Sequence, residues 1–368
     1  VNATEQVIDL DDAEGLLAAD RDGLLRAASM AGAQVRATSA ALDEGELDSL
    51  RSDQPPRTLI WVAGRGNAET AGALLAAALG ASVAAPIVVA AEAPPWIGAL
   101  DVLVVAGDDP GDPALVNAAA TGVRRGARIV VIAPQEGPLR DVVAGRAVTL
   151  APRMWVPDDF GLVRYLAAGL ATLTAIDPGM DFDLATLADD LDAEALRNSA
   201  SRELFTNPAK TLADRMTGRD VVLAGDSGAT LALARHGAAI LLRIAHQAVA
   251  AAGLADALVA LHGGMGATSP AAREQSIFHD EELDGPLPQR VRTFVLTTEA
   301  ERPVVVARVA GMDDVDVVDA ADVPEVLETP DGASPSTPPP APPRPEQQLA
   351  LLAVRLEMTA VYLRLAQG

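Results

Sequence analysis

Cysteine is absent from the 368-residue chain. That excludes disulfides, thiolate metal sites and a cysteine nucleophile, and it fits a reducing compartment. Lysine is reduced to a single residue, Lys210, so arginine carries the rest of the positive charge. Aromatic residues make up 3 % of the chain against 49 % hydrophobic residues, so the cores have to be built from alanine, valine and leucine. There are four histidines, His236, His246, His262 and His279, with no H-x-x-x-H or H-x-H pair among them, so no zinc site is expected. No segment approaches the ~20 uninterrupted apolar residues of a membrane span. Residues 1–12 are polar and acidic, unlike a signal peptide, which makes the cytoplasm the expected compartment. The net charge of −23 opposes contact with nucleic acid or anionic lipid, whose binding starts from cationic contacts to phosphate. Neither is expected as a partner.

What is present is a strand–helix alternation. The length suggests two domains at roughly 100–200 residues each, with ample apolar material for both cores. Residues 1–56 form an N-terminal helical segment. The first α/β domain, 57–150, has short apolar runs at Thr58–Ala63, Pro86–Ala90, Val102–Ala106 and Ile129–Ala133, with Ala/Leu helices between them. A helical connector covers 151–205. The second α/β domain, 206–330, resumes with strands at Asp220–Ala224, Ala257–Leu261, Thr293–Thr297, Val304–Val309 and Val315–Val318, and a long helix running to about Ala252. Strands apolar on both faces that alternate with helices imply parallel sheets covered on both sides. The fold class is therefore α/β, with two tandem doubly wound parallel sheets. Residues 331–346 are a Pro/Ser-rich linker, expected to be an extended, mobile tether. A last helix, 347–368, has an apolar stripe that must dock on its own body or on a neighbouring subunit.

In such folds ligands bind at the carboxyl ends of the strands. The first turn, with Gly64, Gly66, Asn67 and Thr70, suits either an anion at a helix N-terminus or a purely structural tight turn. The second, with Asp108, Gly111 and Asp112, can bind a cation, orient sugar hydroxyls, or cap the next helix. The third, with Asp226, Ser227 and Thr230, suits a hydroxylated or anionic ligand, or again a helix cap. His262 follows an expected strand end and is the acid/base candidate; a loop histidine with no role is the alternative. His279-Asp280-Glu281-Glu282 reads as a solvated acidic turn.

Several segments together resemble the bifunctional phosphoglucose/phosphomannose isomerases, in particular their actinobacterial TobH-like branch. The segments are WVAGRGNAETAG, VVAGDDPGDPALVNAA, LAPRM, NPAKTLADRMTGRDVVLAG and LEMTAVYLRLAQG, in that order from about residue 57 to the end. The resemblance implies two sugar-isomerase (SIS) domains, aldose–ketose isomerisation of a hexose 6-phosphate, no cofactor, and a homodimer. It places Arg153 at the family's active-site arginine. It also brings departures. Ala68, Asp108, Pro110 and Pro113 stand where the family has phosphate-binding hydroxyls, and a carboxylate only accepts hydrogen bonds while proline has lost its N–H. Leu242 stands at the family's catalytic glutamate, only His262 survives of a second motif, and no lysine follows Lys210. Two readings follow: a non-catalytic SIS protein binding a sugar derivative, such as a sugar phosphate, or a partner; or an active isomerase in which Arg153 stabilises the enediolate and His262 shuttles the proton. A cation-dependent sugar enzyme using Asp108, Asp109 and Asp112 is a third.

Overall fold

A computed structural model describes residues 7–52, 54–263, 265, 291–320 and 344–367. The His279 turn and most of the Pro/Ser-rich linker lie outside the described residues. The chain opens with three helices, α1 (Ala13–Ala19), α2 (Leu24–Ala28) and α3 (Ala31–Asp43). Asp12 starts α1 by accepting the Gly15 N–H at 2.9 Å, the ordinary chemistry of an N-cap.

The first sheet contains β1 (Thr58–Ala63), β2 (Ile87–Ala90), β3 (Asp101–Ala106), β4 (Arg128–Ile132) and β5 (Ala147–Thr149). Their order is β2-β1-β3-β4-β5 and all pairings are parallel. The helices around it are α4 (Asn67–Leu79), α5 (Pro113–Arg125), α6 (Gly137–Val143), α7 (Leu162–Ile176) and α8 (Leu184–Arg197). The period of two along each strand divides its residues between two cores. Leu59, Trp61, Val102, Val104, Val130 and Ile132 face one; Ile60, Val62, Leu103, Val105, Ile129 and Val131 face the other, against α5 and α6.

After α9 (Pro208–Met216), the second sheet contains β6 (Asp220–Gly225), β7 (Ala250–Gly253), β8 (Val291–Leu296) and β9 (Val315–Val318), in the parallel order β7-β6-β8-β9. Its helices are α10 (Gly228–Ile244), α11 (Leu254–His262) and α12 (Arg302–Val309). Leu223, Phe294 and Leu296 join the same central core as the first sheet, while Ala224 and Val295 pack outward on Leu254, Val305 and Val309. One helical layer is thus shared by two parallel sheets, each covered on its far side.

The last helix, α13 (Pro345–Ala366), runs through this shared layer. It is buried on all sides rather than along one stripe. Several of its polar side chains are partnered within the core. Arg355 donates to Glu194 at 2.7 and 3.1 Å. Glu357 meets His236 at 3.1 Å, and the Tyr362 hydroxyl donates to the Asn198 carbonyl at 2.5 Å. Lys210 is equally buried: its Nζ donates to the carbonyls of Ala200 and Arg202 at 2.9 and 2.7 Å and lies 5.6 Å from the centre of the Tyr362 ring.

Three expectations are corrected in the second sheet. Ala257–Leu261 belongs to helix α11, and the strand at that place in the order is β7, built almost wholly of alanine. Val304–Val309 belongs to helix α12, with Val305 and Val309 buried and Val304 and Val306 58 % and 40 % exposed. That is a helical period, which a short all-apolar run cannot reveal. Helix α10 stops at Ile244 rather than near Ala252. His246 there takes a left-handed φ of 56°, and pairing of Ala250–Gly253 with β6 outweighs the helical propensity of alanine.

Candidate functional site

The strand order reverses between β1 and β3, so a crevice opens beyond their carboxyl ends. The loops that leave these strands touch: the Gly64 N–H donates to the Ala106 carbonyl at 2.8 Å, and a Cβ at Gly64 would stand 3.7 Å from Gly107 Cα. Here lies a cleft of about 250 Å³, lined by both loops, by the Asp158-Asp159 turn and by Arg243 of α10. Of the sequence candidates, the structure brings Gly64, Gly66, Asn67, Asp108 and Asp112 together around it. Gly66 sits at φ 87° and ψ −130°, a conformation open essentially to glycine alone. It lets the chain turn from β1 into α4.

The lining is strongly acidic. Asp108, Asp109, Asp112, Asp158 and Asp159 face Arg65 and Arg243, and among the described residues no serine or threonine lines the cleft. Asp108 Oδ1 accepts both Arg164 Nη2 and the Tyr165 hydroxyl at 2.6 Å. The Arg164 guanidinium stacks 4.2 Å from the Tyr165 ring centre. Burial pushes the Tyr165 hydroxyl above its ordinary range, so it stays protonated and donates. Asp112 caps α5 through the Ala114 N–H at 2.8 Å, and Asp109 accepts the Gly111 N–H at 2.7 Å. Burial, followed by repulsion from Asp108, raises the Asp158 carboxyl, with Arg164 opposing. Arg243 reaches over from the second sheet's side to pair with Asp159 at 2.8 Å.

The remaining candidates have other partners. The Asn67 amide donates to the carbonyls of Asp158 and Asp159 at 2.6 and 3.1 Å, and so acts as a strut that fixes that turn. Thr70 does not line the cleft; its N–H donates to the Gly66 carbonyl at 3.0 Å. Gly111 contributes a backbone N–H to Asp109. Ser227 and Thr230 form a reciprocal capping box at the start of α10, and Asp226 pairs with Arg308. Arg153 lies outside the cleft lining, in the connector, and reaches the N-terminal segment, where it grips Glu44 at 2.8 and 2.6 Å and Glu46 at 2.5 Å. His262 ends α11, exposed, with Nδ1 2.7 Å from the Leu258 carbonyl; the strand it was expected to follow is absent. Leu242 is 56 % exposed on α10. Among the described residues, no group of three or more His, Asp or Glu side chains is placed to hold a metal ion, and no helix is long and apolar enough to cross a membrane.

Sequence reasoning missed Asp158, Asp159, Arg164, Tyr165 and Arg243. The first four lie beyond the last strand of the first sheet, and Arg243 lies in the last turn of a helix of the second. Nothing local marks any of them.

Two parallel sheets sharing a helical layer, with a cleft at the switch point of the first, define a tandem SIS-type fold, that of the phosphosugar isomerases. Tagatose-6-phosphate ketose/aldose isomerase from Escherichia coli superposes with a TM-score of 0.59 over 94 % of this chain and 92 % of its own, at 15 % identity. The C-terminal domain of glucosamine-fructose-6-phosphate aminotransferase from Francisella tularensis gives 0.58 over 96 % of each chain at 10 % identity. A glucose-6-phosphate isomerase-like protein from Thermus thermophilus gives 0.50 over 98 % and 94 % at 18 % identity. By sequence, the chain matches no family model and no curated protein.

Proposed function

We propose that this chain is a SIS-fold protein that binds a sugar derivative in the cleft beyond β1 and β3 and does not isomerise hexose phosphates. One observation carries the reading: five aspartates and no hydroxyl side chain line that cleft among the described residues. Carboxylates at ~4 Å from a phosphate repel it by about 1 kcal/mol in water and by several times that in a shielded site. The neighbours bearing the names of sugar-phosphate enzymes support a carbohydrate ligand, and the quoted segments support kinship with the phosphoglucose/phosphomannose isomerases of the TobH-like branch. Catalysis lacks support from the cleft. Arg153 is committed to Glu44 and Glu46, and His262 does not line the cleft. Absence of cysteine fits a cytoplasmic, reducing setting, and the fold's kin support a homodimer.

The test is an assay of the purified protein with fructose, glucose and mannose 6-phosphates. The expected result is no interconversion above background and no rise in melting temperature with any of the three. Turnover that disappears in Arg153→Ala would instead establish an isomerase.

A further inference from the structure

The cleft lining already contains two cations of the chain itself, Arg65 and Arg243, and of these Arg243 is paired with a carboxylate of the lining. Arg243 stands on α10, among the helices of the second sheet, while its guanidinium lies at the carboxylates of the first. Its Nε is 2.8 Å from Asp159 Oδ1, and its Nη1 is 3.7 Å from where a Cβ on Gly66 would lie. The receiving turn is held from behind by Asn67. The two partners are 40 % and 36 % exposed, so water screens the pair and a ligand can compete with it. Asp109 and Asp112 stand on the same lining and, among the described residues, accept only short-range backbone N–H bonds, which leaves each a second oxygen able to accept. The five carboxylates are spread over two segments of the lining, Asp108–Asp112 and Asp158–Asp159, which suits a molecule with donors on several atoms. A volume of about 250 Å³ lies below the roughly 300–1,000 Å³ of drug-sized sites and suits a single ring.

We propose that Arg243 stands in for the cation of the ligand, and that the cleft takes an unphosphorylated amino sugar. The ammonium replaces the guanidinium of Arg243 at Asp159 in a charge-assisted hydrogen bond, and the ring hydroxyls donate to Asp109 and Asp112. This rests on the reading of the cleft as a sugar site and names the class of sugar.

Calorimetric titration of the full chain with D-glucosamine, D-glucose and D-glucose 6-phosphate tests it, in the wild type, Arg243→Gln and Asp159→Asn. Glucosamine should bind about tenfold more tightly than glucose. Arg243→Gln should tighten glucosamine about fivefold, the worth of one half-exposed ion pair, and leave glucose unchanged. Asp159→Asn should bring glucosamine down to the level of glucose. Equal binding of glucose and glucosamine in all three proteins overturns the amino-sugar proposal while leaving the sugar site intact, and so does weaker glucosamine binding in Arg243→Gln. Binding of none of the three sugars, or tightest binding of the phosphate, overturns the sugar-site reading together with it.

Discussion

Two carboxylates, Glu194 packed against α13 and Glu357 within it, pull stability in opposite directions as pH changes. Burial pushes Glu194 upward, but the Arg355 guanidinium bonded to it, with Arg197 and Asn198, brings its carboxyl below the ordinary range. A depressed carboxyl stabilises the fold above its unfolded value, and that contribution is lost as pH falls through the folded one. Glu357 is the reverse case: burial raises it, and His236 offsets only part of the effect. The folded chain holds that proton better than the unfolded one, so the contribution is complete below the ordinary carboxylate value and is lost as pH rises through the raised one. Glu357→Gln keeps a hydrogen-bonding partner for His236 and removes this titration. Urea unfolding from about pH 5 to 8 should therefore show a smaller decline in stability for the variant than for the wild type. Glu194→Gln removes the charge that Arg355 and Arg197 share in the core and should lower stability by about 3 kcal/mol. Gly66→Ala places a Cβ in a glycine-only conformation and should lower stability by about 1–3 kcal/mol, read as a drop in melting temperature. Gly66 was legible because a strand, a glycine turn and a helix follow one another locally. Asp159 and Arg243 were not, since what joins them is the packing of one sheet's helices on the other's.

At the level of elements, the buried strands of the first sheet could be read from sequence because Val, Ile and Leu crowd both of their faces. β7 could not: Ala250-Ala251-Ala252-Gly253 carries no strand signature and becomes a strand only through pairing with β6. The valine-rich α12 misleads in the opposite sense. The last helix shows a subtler failure. Its Leu residues looked like a stripe, but Arg355, Glu357 and Thr359 are buried too: Thr359 donates to the Arg355 carbonyl one turn back, while Arg355 and Glu357 meet Glu194 and His236, and partners separated by more than a hundred residues leave no periodic trace. Removing residues 344–368 strips the shared core of its longest helix. The truncated chain should lose its near-ultraviolet circular dichroism and its cooperative melting, whereas a helix merely resting on the surface would leave both intact.

For the whole molecule, one continuous core joins residues of both sheets, the N-terminal helices and α13. Two α/β units that share their central layer cannot unfold independently. Scanning calorimetry should show a single transition with equal calorimetric and van't Hoff enthalpies, where separable domains would show two. The ion pair between Arg243 and Asp159 adds a polar link across the same division, at the point where the cleft opens.

The buried Lys210 gives the folded chain an unusual property. Lys210 is the only lysine side chain, and in the native state its Nζ is shut away against two carbonyls and an aromatic ring. An amine-directed acylating reagent therefore meets no reactive side chain until the region around α9 and α13 opens. The speed at which Lys210 becomes acylated becomes a single-site clock for opening of the protein, one that needs no label to be engineered into it.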